Sequence, residues 1–409
     1  MKSFSVLLMD LKEQLVTSTW VVGSCISIIT GCGSLLGVTS GAIVNLLNPR
    51  LAIMLSGLLA SIGLLICSCA TNSGILLMGL ALTGFLMMQI NIALGLVPLY
   101  FDKYYEAAVA IYSCGTGIAI LTMPIVAQTF LDTYGWRGTL LLLSGLALHS
   151  IPCGTLVTER SPSESIKPES ESLLNGRNRK TPEGNKSVLQ MKNKANPVVM
   201  ASAWNALKAL CNDLGGQLLT QSAFVSRVLI PGFTYGYIIT GWMIYIVSFT
   251  VSKGASIKEG SIVATFGGLG VIMIRIAAPL LNKFIAYKHL LYLSSIIAAT
   301  SLSSIPFFGS FTGMCFIVTI SGIGIGLFGV ELYISANYNC KESDHFHAIA
   351  WLHLVYGAGA LLTGFLTGYL FDVTGSFAIS FYILGAVASV TAMSLAVGDI
   401  CLGLKDYEK

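Results

Sequence analysis

Arg275 stands inside the apolar run GVIMIRIAAPLL, and Glu331 inside GLFGVELYISANY. An ionisable side chain in such surroundings is costly, about 2.5–3.5 kcal/mol for Arg at a membrane-helix centre on insertion scales, so it faces a cavity or a partner. The planar guanidinium of Arg275 can hold a carboxylate through two parallel hydrogen bonds, which a point charge does less well. The blander reading is a structural ion pair, or a side chain snorkelling to the nearby membrane face. Glu331 is the natural counter-charge. Meeting Arg275 across a central cavity, it would release the guanidinium for an anion when protonated, and so couple a proton to that anion. Alternatively, it hydrogen-bonds a neighbouring helix near the outer leaflet. His353, in AWLHLVYGAG, titrates in the physiological range and is the second candidate for proton coupling, against the commoner role of a hydrogen-bonded packing residue. The sequence holds no nucleophile–His–acid set, no Cys/His cluster at metal-ligand spacing and no GK[ST] phosphate loop, so neither an enzyme nor a metal or cofactor is expected.

The elements that must hold these residues are membrane helices. Hydrophobic residues make up 54% of the 409 and charged residues 10%, against about 25% charged in an ordinary soluble domain. Mean hydropathy is +0.78, and the 43 glycines suit close-packed transmembrane helices. A net charge of +4, thinly dispersed, gives no sign of nucleic acid. Crossing about 30 Å of hydrocarbon takes roughly 20 residues whose backbone groups are satisfied within the helix. Eleven spans follow, at residues 20–44, 51–70, 74–99, 107–131, 138–157, 225–251, 259–281, 290–308, 312–335, 348–371 and 377–397. They divide into an N-terminal bundle (1–157), a polar Pro/Ser/Glu/Lys-rich linker expected to be largely disordered (158–224), a C-terminal bundle (225–401) and a tail (402–409). Nine Lys or Arg lie between Arg160 and Lys208, which places the linker in the cytoplasm by the positive-inside rule. The same orientation brings Arg50, Lys103, Lys283, Lys288, Lys341 and the tail inside, and the N-terminus outside.

The two halves echo one another. GAIVN ending at Asn45 returns as APLLN ending at Asn282, and FLDTYG around Asp132 returns as LFDVTG around Asp372, at offsets of 237 and 240. A shift of about 238 maps spans two to five onto the last four and the first span onto 259–281; the partner of the sixth span would fall almost wholly before residue 1. Parallel repeats of six helices about an axis along the membrane normal are the arrangement of major-facilitator transporters. On that reading the chain holds helices two to twelve of twelve, with MKSFSVLLMDLKEQL as the outer end of the first. The fold class expected is an all-α polytopic membrane protein of two parallel-repeat bundles.

The junction LYFDKYYEAAVAIYSCGTGIAI, followed by PIVAQTFLDTYGWRGTLLLLSGL, resembles the signature region of the monocarboxylate transporter family within the major facilitator superfamily. The matching positions are Tyr100, Phe101, Lys103, Gly115, Gly117, Tyr134, Gly135, Trp136, Arg137 and Gly138. Further similarity lies in STW at Ser18 to Trp20 and in GYLFDVTGS, which contains Asp372 and Gly375. The resemblance covers nearly the whole chain outside the linker.

It implies alternating access by a multi-pass carrier in the plasma membrane, moving a small organic anion of the lactate or pyruvate type with a proton as co-substrate; some members also require a single-span chaperone subunit. Arg275 falls where the family's substrate-linked Arg falls, and Asn45, Arg50, Asn282, Asp372 and the signature residues become gating positions. The chain departs from the pattern at Tyr104 and Tyr105, where the family has paired Arg, at Val271, where lactate-type members carry Asp, and in lacking the first-helix segment with its Lys. Two rivals stay open: a non-transporting truncated or regulatory paralogue, and a carrier of an amino acid, creatine-like or aromatic substrate.

Overall fold

The computed structural model describes residues 7, 11, 18–38, 40–101, 104–157, 216–341 and 344–401; Lys103, linker residues 158–215 and the tail from 402 lie outside them. The described residues are helical, with no strand among them. The N-terminal half contains α1 (Thr19–Val38), α2 (Ser40–Ser68), α3 (Ser73–Thr83), α4 (Phe85–Tyr100), α5 (Tyr105–Leu148) and α6 (Ser150–Thr155). The C-terminal half contains α7 (Ile230–Ser252), α8 (Ile257–Asn282), α9 (Tyr287–Ser304), α10 (Phe311–Tyr338), α11 (His345–Thr374) and α12 (Ala378–Ala396).

Ten helical runs among the described residues are long and apolar enough to cross a membrane. The sequence divides the same chain into eleven because one run, Tyr105–Thr155, is 51 residues long. At 1.5 Å per residue that is about 75 Å, more than twice a bilayer core of about 30 Å. Gly135 breaks it into two crossings with φ 65° and ψ 179°, a backbone state that a side chain resists. A second break inside α2 falls at Asn48 (φ 62°, ψ 149°), directly before Pro49. Asn tolerates positive φ and Pro starts a helix readily, so the pair ends one crossing and begins the next.

In the N-terminal half α2 packs against α3, α4, α5 and α6, and α1 against α3 and α4. In the C-terminal half α7 packs against α11 and α12, α8 against α10, and α9 against α10 and α12. Two large seams join the halves, α1 on α11 and α5 on α8. The repeat shift carries α1 onto α8 and α5 onto α11, so the molecule uses one seam twice. Leu7 and Leu11, four residues apart, are buried in the main apolar cluster.

Outward faces carry Leu55, Leu58, Ile62 and Leu65 on α2 and Met273, Ile276 and Leu280 on α8, exposed at helical spacing as lipid-facing residues are. α7 is different, with almost every residue from Pro231 to Thr250 buried, as a central helix must be. It crosses α11 with almost no separation. A Cβ on Gly236 would stand 2.0 Å from the Tyr356 carbonyl oxygen, and one on Gly359 would stand 2.2 Å from that of Phe233. Below α7, Arg227 is 1% exposed and donates to Asp399 beyond the end of α12 at 2.6 Å. That ion pair fastens the first and last segments of the half to each other.

Candidate functional site

A cavity of about 270 Å³ lies between the halves, lined from one side by α4 and α5 and from the other by α7, α8, α10 and α11. It is a little below the roughly 300–1,000 Å³ typical of small-molecule pockets. Arg275 on α8 reaches it and is only 4% exposed. Its Nη1 donates to the Ser113 carbonyl of α5 and its Nε to the Gly326 carbonyl of α10, 3.5 Å away. The Tyr235 hydroxyl of α7 lies beside the guanidinium, both groups standing against Gly329. A guanidinium carries five N–H donors, more than these partners occupy. No ion pair engages Arg275 among the described residues. The arrangement is a desolvated cation held in place by neutral groups, with donors left for an anion.

Tyr112, Tyr235, Tyr333 and Tyr356 surround this end of the cavity together with His353. Nδ1 of His353 lies 3.0 Å from the Ile349 carbonyl, which can only accept, so Nδ1 carries the proton. Nε2 then accepts from the Tyr333 hydroxyl at 3.1 Å. Both ring nitrogens are engaged in the neutral form, and the imidazole fixes where Tyr333 points. Sequence singled out His353 but passed over the tyrosines, because aromatic residues at helical spacing read equally well as packing.

Glu331 does not meet Arg275. It is 0% exposed, and its Oε1 accepts from Asn282 Nδ2 at 3.2 Å while Oε2 has no partner. The reason is register. α8 and α10 run side by side in the same direction, so Gly326 and Gly329 stand level with Arg275, and Glu331 stands level with Asn282 further along. The expected Arg–Glu counter-ion pair is therefore replaced by an Asn–Glu pair at the Asn282 end. A hydrogen bond to a neighbouring helix is the alternative expected of Glu331, and the structure places that bond at the Asn282 end of α8, opposite the end that carries Lys258.

The other motif residues separate into several roles. Gly117 packs tightly on α8, where an added Cβ would stand 2.7 Å from Ile272, whereas one on Gly115 would meet nothing within 4 Å. Gly115 faces open space. Arg137 donates to the Ala70 carbonyl at 3.1 Å and lies 5.0 Å over the Trp136 ring, tying the break at Gly135 to the end of α2. Gly375, at φ 69°, ends α11. Tyr100 is half-buried at the end of α4, while Phe101 and Arg50 are exposed. The Asn45 side chain lies outside the described residues, as Lys103 does.

A Major Facilitator Superfamily model matches residues 1–345. The chain belongs to the major facilitator superfamily. Within it, the chain is similar to Monocarboxylate transporter 6 of Mus musculus, 24% identical over 399 residues that cover 93% of this chain and 78% of the relative. Monocarboxylate transporter 3 of Gallus gallus is 24% identical over 415 residues, covering 97% and 74%. Monocarboxylate transporter 11 of Homo sapiens is 38% identical over a shorter stretch of 112 residues, 27% and 24% of the two chains. Superfamily membership implies a multi-pass membrane transporter rather than an enzyme, and the transporter is of the monocarboxylate-transporter-like kind.

Transport in a major-facilitator fold requires the halves to part at one face at a time. At the face bearing Trp20 and Lys258, both seams are closed by an aspartate. Asp372 at the end of α11 accepts from the backbone N–H groups of Thr19 and Trp20 at 3.3 and 3.0 Å, capping α1 from the opposite half. Its repeat counterpart Asp132, in α5, lies 4.0 Å from Lys258 at the start of α8. Losing a helix cap costs about 1 kcal/mol, roughly fivefold in an equilibrium. Asp372→Ala is therefore expected to open this face more often. Labelling of a Met123→Cys reporter by an impermeant thiol reagent, in a background without accessible native cysteines, should accelerate about fivefold; an unchanged rate would remove the gating role.

Proposed function

We propose that this chain carries a small monocarboxylate anion across the membrane by alternating access, with Arg275 as the carboxylate anchor and a proton as co-substrate. The observation that carries the reading is the state of Arg275: a desolvated guanidinium lining a cavity between two halves, with no counter-ion among the described residues and donors to spare. A desolvated cation in that position gains most from a ligand that brings the missing negative charge. The relatives' names, monocarboxylate transporters, agree with that chemistry. On this reading the protein sits in the plasma membrane with the linker and tail in the cytoplasm.

Glu331 is the group assigned to the proton. Its Oε2 has no hydrogen-bond partner, and a carboxyl in that situation has room for a proton on that oxygen. It lies two residues beyond Gly329, where a Cβ would stand 2.3 Å from the Tyr235 hydroxyl and 3.3 Å from Nη2 of Arg275. Its occupancy can thus reach the site through α10 without direct contact. His353 is assigned the positioning of Tyr333.

The test is uptake of labelled lactate, pyruvate and longer monocarboxylates into proteoliposomes, with and without an inward proton gradient. Saturable uptake stimulated by the gradient is expected. Glu331→Gln keeps the bond to Asn282 and removes the titration, so uptake by this variant should be the same with and without the gradient. A gradient response that survives the substitution would transfer the proton to another group. Failure of every monocarboxylate, with uptake of a zwitterion instead, would overturn the substrate reading.

A further inference from the structure

We propose that the cavity is built for a monocarboxylate with an extended apolar body, a medium-chain or aryl alkanoate, in preference to a three-carbon hydroxy or keto acid. The inference rests on the carboxylate reading of Arg275 given above and specifies what lies beyond the carboxylate.

The cavity is polar at one end only. Arg275 donates to the Ser113 carbonyl and lies beside the Tyr235 hydroxyl, and Tyr356 is at the same level because its carbonyl faces Gly236, next to Tyr235 on α7. Away from that level the lining changes character. α5 and α7 climb from Arg275 toward the face bearing Lys253, and the next residues they present are Thr116, then Ile120 and Met123 on the first, and Ile239 and Met243 on the second. Tyr235 to Met243 is eight residues, about 12 Å of helix. Met87 of α4 completes this wall.

A three-carbon acid bound at Arg275 would leave most of that wall against water, which finds no hydrogen-bond partners on Ile and Met side chains. A ligand whose apolar part lies along the wall removes that surface from water. The methionines, unbranched and polarizable, adapt to either a chain or a ring. Carboxylate at one end and hydrocarbon along the other is the shape complementary to this cavity.

The experiment is calorimetric titration of the full chain in lipid nanodiscs with lactate, acetate, butyrate, hexanoate and octanoate, with empty nanodiscs subtracted and Arg275→Gln as the anchor control. Binding should tighten by about fourfold per added methylene along the part of the chain that meets the wall, and should be lost in the control. Ile239→Trp fills the wall and is expected to end the gain at a shorter acid. The series on the unaltered chain decides the question even where that variant does not fold. Arg275-dependent binding of lactate with no gain along the series would overturn this inference and leave the carboxylate reading standing. Absence of Arg275-dependent binding for every acid would overturn both.

Discussion

Arg275→Gln is expected to abolish saturable uptake of any carboxylate while leaving the protein folded and inserted. Two charge-assisted hydrogen bonds to a carboxylate contribute about 1.5–3 kcal/mol each, so their loss weakens binding by roughly 100-fold or more. Gln retains a donor for the Ser113 carbonyl, the contact by which Arg275 bridges the halves. Arg275→Lys keeps the charge and loses the planar fork, so it should fall between the two. Removing a buried cation that has no counter-ion among the described residues also relieves a desolvation cost. The Gln variant should therefore unfold at a temperature no lower than the native chain. Measurement of both uptake and thermal midpoint separates a binding role from a structural one: lost uptake with an unchanged or raised midpoint is the expected result, and lost uptake with a collapsed midpoint would make Arg275 a structural residue.

The second large effect belongs to the helix crossing behind the cavity. Gly359→Leu places a side chain where its Cβ alone would lie 2.2 Å from the Phe233 carbonyl. That neighbour is backbone and cannot swing aside, so α7 and α11 must separate. Overpacking typically costs about 1–3 kcal/mol, and this site belongs at the upper end of that range. Because α7 carries Tyr235 and α11 carries His353 and Tyr356, the separation should also disperse the groups around Arg275. Gly115→Ala is the matched control, since its added methyl meets nothing within 4 Å. The expected result in detergent is a thermal midpoint several degrees lower for the first variant and unchanged for the second. Equal midpoints would mean that the close crossing does not hold the half together.

Much of the architecture can be read from residues alone because the bilayer imposes simple rules. The span lengths, the break before Pro49, the repeat linking Asp132 to Asp372 and the isolated charge at Arg275 all follow from hydropathy, glycine and proline placement, and the cost of buried charge. The Glu331 partner was not legible in the same way. Hydropathy places a carboxylate within a span but says nothing about the register of that span against its neighbour, and a shift of two helical turns along α8 substitutes Asn282 for Arg275. The four cavity tyrosines were hidden for a related reason: tyrosine suits both a packed interface and a polar pocket, and only the facing helices decide which. Arg227 and Asp399 escaped notice because charges near span ends are normally accounted for by snorkelling, whereas here Arg227 is fully buried and paired.

The two aspartates at the Trp20 and Lys258 face make unequal fastenings. Asp372 grips two backbone groups of the opposing helix, whereas Asp132 reaches an exposed lysine across 4.0 Å of solvent-screened space. A carrier with one firm and one weak closure does not part evenly along its rim. On the alternating-access reading proposed above, the rim is expected to part first between α5 and α8 with α1 and α11 as the pivot, so that a duplicated sequence would yield a one-sided entrance.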